Sequence, residues 1–185
     1  KIFISEIIDS NQGLNSLNIL DLCSGDGFYS QFFLHDIAKN ITMIDLDPLA
    51  LDRAKKRKQR LPFLKNKNFN YINADIVSET IENILLKKNI FLKYDVIIFN
   101  AAIEHFKEEQ VFQILESCKK LMSKKGLIFG YTLVEDEEHV FDHHELLFKT
   151  KNDLKKIINK NFKHVECFQS ISETRHNLYF LAKNN

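Results

Sequence analysis

Side chains able to bind ligands or move protons gather at a few points in this chain. The first is ILDLCSGDGFYSQFF, residues 19–33, which holds Asp21, Cys23, Gly25 and Gly27. The chain has only 5 glycines, so two of them placed directly after an apolar run mark a special turn. Glycine reaches positive φ without steric cost and lets a ligand approach the backbone closely. A helix starting just beyond such a turn offers unpaired N–H groups and the positive end of its dipole. A dinucleotide fingerprint would want glycine at 23, 25 and 28, but the chain has Cys23, Gly25 and Phe28. The Phe28 side chain would block the pyrophosphate, which argues against a nicotinamide oxidoreductase. No Gly-Lys-Ser/Thr is present, so an NTPase phosphate loop is excluded. A ligand without phosphate fits better, and the Asp21 carboxylate then faces a cationic group on it.

Three more points carry acids or amides. ITMIDLDPLALDRAKKR places Asp45, with Leu46 beside it, at the end of an apolar run. A carboxylate there accepts hydrogen bonds from a pair of ribose hydroxyls. Asp47 reads more simply as a helix cap, because Pro48 follows at the first helical position. FNYINADIV puts Asp75 just past the next run, placed to receive an adenine amino group, with Ala74 and Ile76 on either side of the ring. YDVIIFNAAIEHF ends its run in Asn100 and Ala101. Convergence of four such ends on one edge outweighs any single match. Proton-transfer candidates follow: Glu104 and His105, then EDEEHVFDHHELLF with His139, Asp142, His143, His144 and Glu145. His143 or His144, with an ordinary pKa of about 6.5, suits a general base. The plainer reading of Glu104 and His105 is a loop leading into a helix.

These residues need a scaffold that aligns strand ends. Residues 17–22, 41–46, 69–73, 94–99 and 127–133 read as strands, rich in Ile, Val and Phe. Residues 28–39, 48–60, 78–88, 108–122 and 151–159 read as helices, the fourth stopped by Lys124, Lys125 and Gly126. Residues 165–169 and 177–182 close the chain as two strands, with a link short enough for an antiparallel hairpin. The order βαβαβαβαβαββ predicts an α/β fold. It is a doubly wound, mainly parallel seven-stranded sheet with helices on both faces and an antiparallel C-terminal hairpin strand. No repeat or linker divides residues 1–185, which predicts one domain.

Over residues 17–183 the chain resembles the class I, Rossmann-like, S-adenosylmethionine-dependent methyltransferases. ILDLCSGDG is similar to their glycine-rich first motif, with Cys23 where the first glycine often stands. A small thiol is accommodated there if φ stays negative. LMSKKGLIFGY is similar to the segment entering the fifth strand. The resemblance implies S-adenosylmethionine as cofactor, with Cys23, Gly25 and Gly27 in its backbone cradle and Asp21 near its amino-acid end. Asp45 and Leu46 would then meet the ribose, Asp75 and Ile76 the adenine, and Asn100 and Ala101 the methionine side. It also implies methyl transfer, to a small-molecule or glycan-type acceptor, with His143, His144, Glu104 and His105 as catalytic candidates. Glu104, His105 and one of the paired histidines are similar as well to a metal-dependent family that methylates the 3′-terminal ribose of small RNAs. Ala101 stands where that family has a further glutamate, so no metal is expected. Such an RNA enzyme, or a non-catalytic partner protein that binds the cofactor, is the alternative.

Composition bounds the rest. The chain is 44% hydrophobic and 28% charged with a formal net charge of +1, ordinary for a globular protein and indifferent to polyanions. Residues 53–67, RAKKRKQRLPFLKNK, hold eight basic residues that would suit phosphate contacts. They begin on a helix behind the strand-end rim, and no aromatic platform accompanies them, so a small-molecule substrate is favoured over nucleic acid. Arg175 would meet an acidic acceptor or pair with Glu173. Cys23, Cys118 and Cys167 are odd in number and far apart, as in a cytoplasmic protein with reduced thiols. No apolar run approaches the length of about 20 residues that crosses a bilayer. The chain begins at Lys1 with neither methionine nor a signal-peptide pattern, which predicts a trimmed N-terminus. The sequence leaves the oligomeric state open.

Overall fold

The computed structural model describes residues 16–134, 143–172 and 175–184. Its elements run β1 (Leu17–Leu22), α1 (Phe28–Phe33), β2 (Ala38–Asp45), α2 (Pro48–Arg60), β3 (Asn68–Asn73), α3 (Ile81–Lys87) and β4 (Tyr94–Phe99). Then follow α4 (Glu108–Leu121), β5 (Met122–Leu133), α5 (Lys151–Ile158), β6 (His164–Ile171) and β7 (His176–Lys183). The strands form one sheet in the order β3-β2-β1-β4-β5-β7-β6. β1 to β5 are mutually parallel, and β7 runs antiparallel to both β5 and β6. This is the fold expected from the sequence, a doubly wound α/β sheet.

Alternation along the strands builds two cores. Leu20, Leu22, Ile97, Phe99 and Ile128 pack with Ile81 and Ile84 of α3, Ile114 and Leu115 of α4, and Leu154 and Ile158 of α5. Ile19, Ile41, Met43, Val96 and Ile98 pack on the other face with Leu34, Ile37, and Leu51 and Ala54 of α2. Apolar side chains on both faces are what a parallel sheet under helices requires. Local signals fix the helix starts. Asp47 caps α2 through the N–H of Leu49 at 2.8 Å, and Thr150 with Asp153 forms a capping box on α5. Among the described residues, no helix is long and apolar enough to cross a membrane.

Three boundaries differ from expectation. The helix read over residues 28–39 stops at Phe33. A turn closed by Ile37 N–H and Ala38 N–H on the Leu34 carbonyl follows, and Ala38 starts β2 by pairing with Leu17. Sheet pairing and the burial of Ile37 override helical propensity there. The expected stop at Lys124–Gly126 is not a helix end: α4 finishes at Leu121 and those residues lie within β5. They form an irregularity, since Tyr94 pairs with Met122 and Val96 with Leu127. The weaker helix over residues 78–88 shortens to α3, with Thr80 as its cap.

Candidate active site

Parallel pairing of β1 to β4 places their C-terminal ends on one edge. There Cys23, Gly25 and Gly27 all take positive φ, at 51°, 53° and 71°. The expectation that Cys23 keeps a negative φ is therefore corrected. The left-handed conformation costs a non-glycine residue about 1–2 kcal/mol, which surrounding structure must hold in place. It is held from several sides. Asp45 accepts the Gly25 N–H on Oδ2 at 2.6 Å and the Asp47 N–H on Oδ1 at 2.8 Å. Gly27 N–H donates to the Ser24 carbonyl at 2.9 Å. Arg57 of α2 donates to the Asp26 carboxylate and, at 2.7 Å, to the Asp26 carbonyl. Contacts within the chain thus fix the shape of the loop.

Arg57 is a residue the sequence reading missed, because it sits within the basic run and looked like one charge among many. Its neighbours are also locally engaged. Arg53 pairs with Asp47, Lys56 with Asp52, and Lys55 lies over the Tyr71 ring. Ser30 was likewise missed; its hydroxyl donates to Asp21. That contact changes the expected role of Asp21. Its side chain is 3% exposed and faces α1. Burial, eased by Ser30 and increased by Asp45, pushes its carboxyl up to about 7.

The other strand-end residues are distributed as follows. Leu46 is exposed beside Asp45, and its carbonyl accepts Asn73 Nδ2 at 2.8 Å. Asp75 accepts the Val77 N–H at 2.8 Å on Oδ1. Ile76 belongs to the core. Ala101 holds φ at 47°, and its N–H donates to the Tyr131 carbonyl at 2.7 Å. A second strained non-glycine residue on this edge is the kind of backbone that functional sites stabilise. Asn100 Nδ2 and Ser24 Oγ are buried without hydrogen-bond partners.

These features fit S-adenosylmethionine. A Cβ built on Gly25 meets nothing within 4 Å, so the loop backbone is open to a ligand. Asn100 Nδ2 and Ser24 Oγ are donors awaiting acceptors of the kind an amino-acid carboxylate supplies. The Cys23 thiol is pushed up first by burial and then by Asp45, Asp21, Asp75 and Glu104. The Asp45, Asp21, Asp75 and Glu104 carboxyl groups thus surround one point, an acidic setting that a cationic sulfonium and ammonium would suit.

The acceptor-side candidates converge partly. Glu104 and His105 lie in a 3-10 turn, Ile103–His105, just after β4. The Glu104 carbonyl accepts the N–H groups of Glu145 at 2.8 Å and Leu146 at 3.1 Å, which fastens the later segment onto this turn. His105 and His144 then meet edge to face, ring centroids 4.9 Å apart, and His105 Nδ1 lies 3.3 Å from the His143 carbonyl. Glu104 is buried, which raises its pKa, while the Thr132 hydroxyl and both histidines pull it down. The His143 residue is exposed. His139 and Asp142 lie outside the described residues, as do Glu173 and residues 1–15.

A sequence profile described as a methyltransferase domain matches residues 20–128, more than half of the chain. A search of curated proteins finds no match. Among solved structures, the N-methyltransferase NodS from Bradyrhizobium japonicum WM9 superposes with a TM-score of 0.69 at 18% identity, over 99% of this chain and 93% of NodS. NodS is also known in complex with S-adenosyl-L-homocysteine. An S-adenosylmethionine-dependent methyltransferase from Clostridium acetobutylicum ATCC 824 gives 0.68 at 13% identity, over 98% and 88%. The apo methyltransferase SibL gives 0.68 at 15% identity over 91% of this chain, which spans 51% of SibL. At these identities the superpositions carry the fold, and the profile carries the family. The chain belongs to the methyltransferase domain family, and it has the fold of S-adenosylmethionine-dependent methyltransferases.

Proposed function

We propose that this chain transfers a methyl group to a small-molecule acceptor, with Glu104, His105, His143 and His144 on the acceptor side. S-adenosylmethionine supplies an already activated methyl group as a sulfonium when bound. The protein then has only to orient an acceptor atom and take up its proton. Gly25 and Gly27 would cradle the cofactor, with Cys23 and Asp21 behind that loop. Asp45 and Leu46 would hold the ribose, Asp75 and Ile76 the adenine end, and Asn100 and Ala101 the methionine end. A carboxylate has about four lone-pair directions, so Asp45 can keep Gly25 and Asp47 while accepting a ribose hydroxyl. The observation that carries the reading is the meeting of Glu104, His105 and His144 immediately beyond Asn100 and Ala101. The acceptor side is therefore adjacent in the chain to the cofactor side.

Calorimetric titration with S-adenosylmethionine and S-adenosylhomocysteine tests the cofactor site. Saturable binding of both is expected, weakened by Asp75→Ala and more strongly by Asp45→Ala, which also removes the acceptor of the Gly25 N–H. A folded protein that binds neither ligand overturns the reading. Acceptors are then screened as small hydroxylated and amino compounds before RNA. His144→Ala should reduce turnover with little change in S-adenosylhomocysteine affinity. Methylation of RNA alone would replace the small-molecule assignment.

A further inference from the structure

We propose that Tyr29, Tyr131 and Tyr179 form a platform for the methyl acceptor, and that this acceptor is a planar aromatic compound carrying an acidic group that Arg175 meets. Its role as acceptor rests on the methyltransferase reading above; the binding of such a compound does not. Tyr29 lies in the first turn of α1, two residues past Gly27. Tyr131 lies near the end of β5, and its carbonyl accepts the Ala101 N–H at 2.7 Å. Two of the rings are thus tied to the two segments proposed to hold the cofactor, the glycine loop and the end of β4. The ring centroids of Tyr29 and Tyr131 are 6.2 Å apart, and those of Tyr131 and Tyr179 are 5.7 Å apart, with the planes tilted by 47° and 42°. Three rings from three elements make one continuous strip.

The strip does more than hold the sheet together. Tyr131 and Tyr179 are directly opposed in antiparallel β5 and β7, and such pairs do stabilise sheets. That role asks nothing of α1, yet Tyr29 joins the pair from outside the sheet and stays 41% exposed. Tyr131 and Tyr179 are only half-buried. The Tyr179 hydroxyl is held by Ser170 Oγ at 3.3 Å and by Asn177 Nδ2 at 3.4 Å, which sets its ring in place. A rigid aromatic face binds a ligand at low entropic cost. Aromatic rings prefer offset or edge contacts with a further ring, so this surface selects a flat aromatic acceptor.

Charge selects the acid. Arg175 stands immediately before β7, at the same edge of the sheet. Its turn is closed by the Ser172 N–H on the Arg175 carbonyl at 2.8 Å and by the Arg175 N–H on Ser172 Oγ at 3.1 Å. Among the described residues its guanidinium has no acid partner. Burial and Tyr29 raise the pKa of the Tyr131 hydroxyl, Arg175 lowers it, and Glu104 and Tyr179 raise it. The middle of the strip is therefore in reach of both the Arg175 cation and the acceptor-side Glu104. An anionic group would pair with Arg175, whereas an ammonium would be repelled.

The test uses protein with ring-¹³C-labelled tyrosine, with and without S-adenosylhomocysteine, and 4-hydroxybenzoate as the probe. The chain has only 5 tyrosines, so each ring signal is assigned by one phenylalanine substitution. The probe should saturably shift the signals of Tyr29, Tyr131 and Tyr179, and leave in place those of buried Tyr94 and of Tyr71 beneath Lys55. Two analogues separate ring from charge. 4-Hydroxycyclohexanecarboxylate, which lacks the aromatic ring, should bind about 2- to 10-fold more weakly. 4-Hydroxybenzamide, which lacks the charge, should bind about 2- to 5-fold more weakly. Tyr131→Leu and Tyr179→Leu should remove the preference for the aromatic ring, and Arg175→Gln the preference for the acid. Tyrosines that only stabilise the sheet would lose stability on substitution and leave both preferences unchanged, which overturns the proposal. Protein that binds S-adenosylhomocysteine while its tyrosine signals ignore 4-hydroxybenzoate overturns the platform and leaves the methyltransferase reading standing. Shifts at the three tyrosines without S-adenosylhomocysteine binding support the platform and tell against the cofactor assignment instead. Should either strand variant fail to fold, Tyr29→Leu and Arg175→Gln, both at exposed positions, decide the question.

Discussion

Gly25 and Gly27 make a paired test of the loop, because alanine meets different surroundings at each. Gly27 holds φ at 71°, and a Cβ there would sit 2.1 Å from Met43 Cε and 3.0 Å from Met43 Sδ. Met43 is fully buried between the strands and α2, so its end has little room to retreat. The left-handed backbone costs alanine about 1–2 kcal/mol, and overpacking a filled core adds about 1–3 kcal/mol. Gly27→Ala should therefore lose about 2–5 kcal/mol. Gly25 has φ 53° and open space, so Gly25→Ala should lose only the backbone part, about 1–2 kcal/mol. Its methyl group would instead stand in the open space proposed for the cofactor. Urea unfolding followed by circular dichroism gives the stabilities, and calorimetry with S-adenosylhomocysteine gives the affinities. The expected pattern is crossed: Gly27→Ala costs the more stability, while Gly25→Ala weakens binding in a protein that remains folded. Equal stability losses would refute the Met43 clash. Unchanged affinity in Gly25→Ala would refute the placement of the cofactor against Gly25.

Other outcomes follow from the same geometry. The Asp21 carboxyl titrates near 7 in the folded protein against 3.8 unfolded, so its ionisation penalty is absent at low pH, grows as pH rises through that window, and is complete above it. Asp21→Asn should gain stability over the parent by about 2–3 kcal/mol more at pH 8 than at pH 5; a difference independent of pH would refute the burial argument. Arg57→Ala should cost about 1 kcal/mol, since the pair with Asp26 is partly exposed, yet weaken S-adenosylhomocysteine binding by freeing the loop. Thiol labelling at pH 8 should reach Cys167 first. Its thiol is pushed up to about 11 by partial burial, whereas Cys118 is fully buried and the Cys23 thiol is raised further by its surroundings and the nearby Asp45, Asp21, Asp75 and Glu104.

Much of the scaffold was readable because its signals are local. Asp47 before Pro48 announces α2, and alternating apolar strands announce a covered sheet. The loop Gly25-x-Gly27 was readable for the same reason. What escaped was set by contacts between distant residues. Nothing near Ile37 tells that Leu17 will draw Ala38 into a strand, and nothing in CSGDG tells that Asp45 and Arg57 will hold Cys23 in a left-handed turn. Likewise, HH at 143–144 gave two equal candidates. Only the clamp onto the Glu104 carbonyl selects His144 as the one beside His105.

The position of β7 between β5 and β6 has a consequence for the order in which the chain can fold. During synthesis the parallel strands β1 to β5 emerge first, each able to pair with one already made. β6 emerges with no partner, because its neighbour in the sheet, β7, follows it in the chain. Until β7 arrives, the outer side of β5 and the whole of β6 are unpaired strand edges, the feature that exposes nascent chains to wrong pairing. The last strand therefore acts as a latch. β7 must be made before the sheet can close, and a chain truncated before His176 would lose both seams together rather than one edge strand.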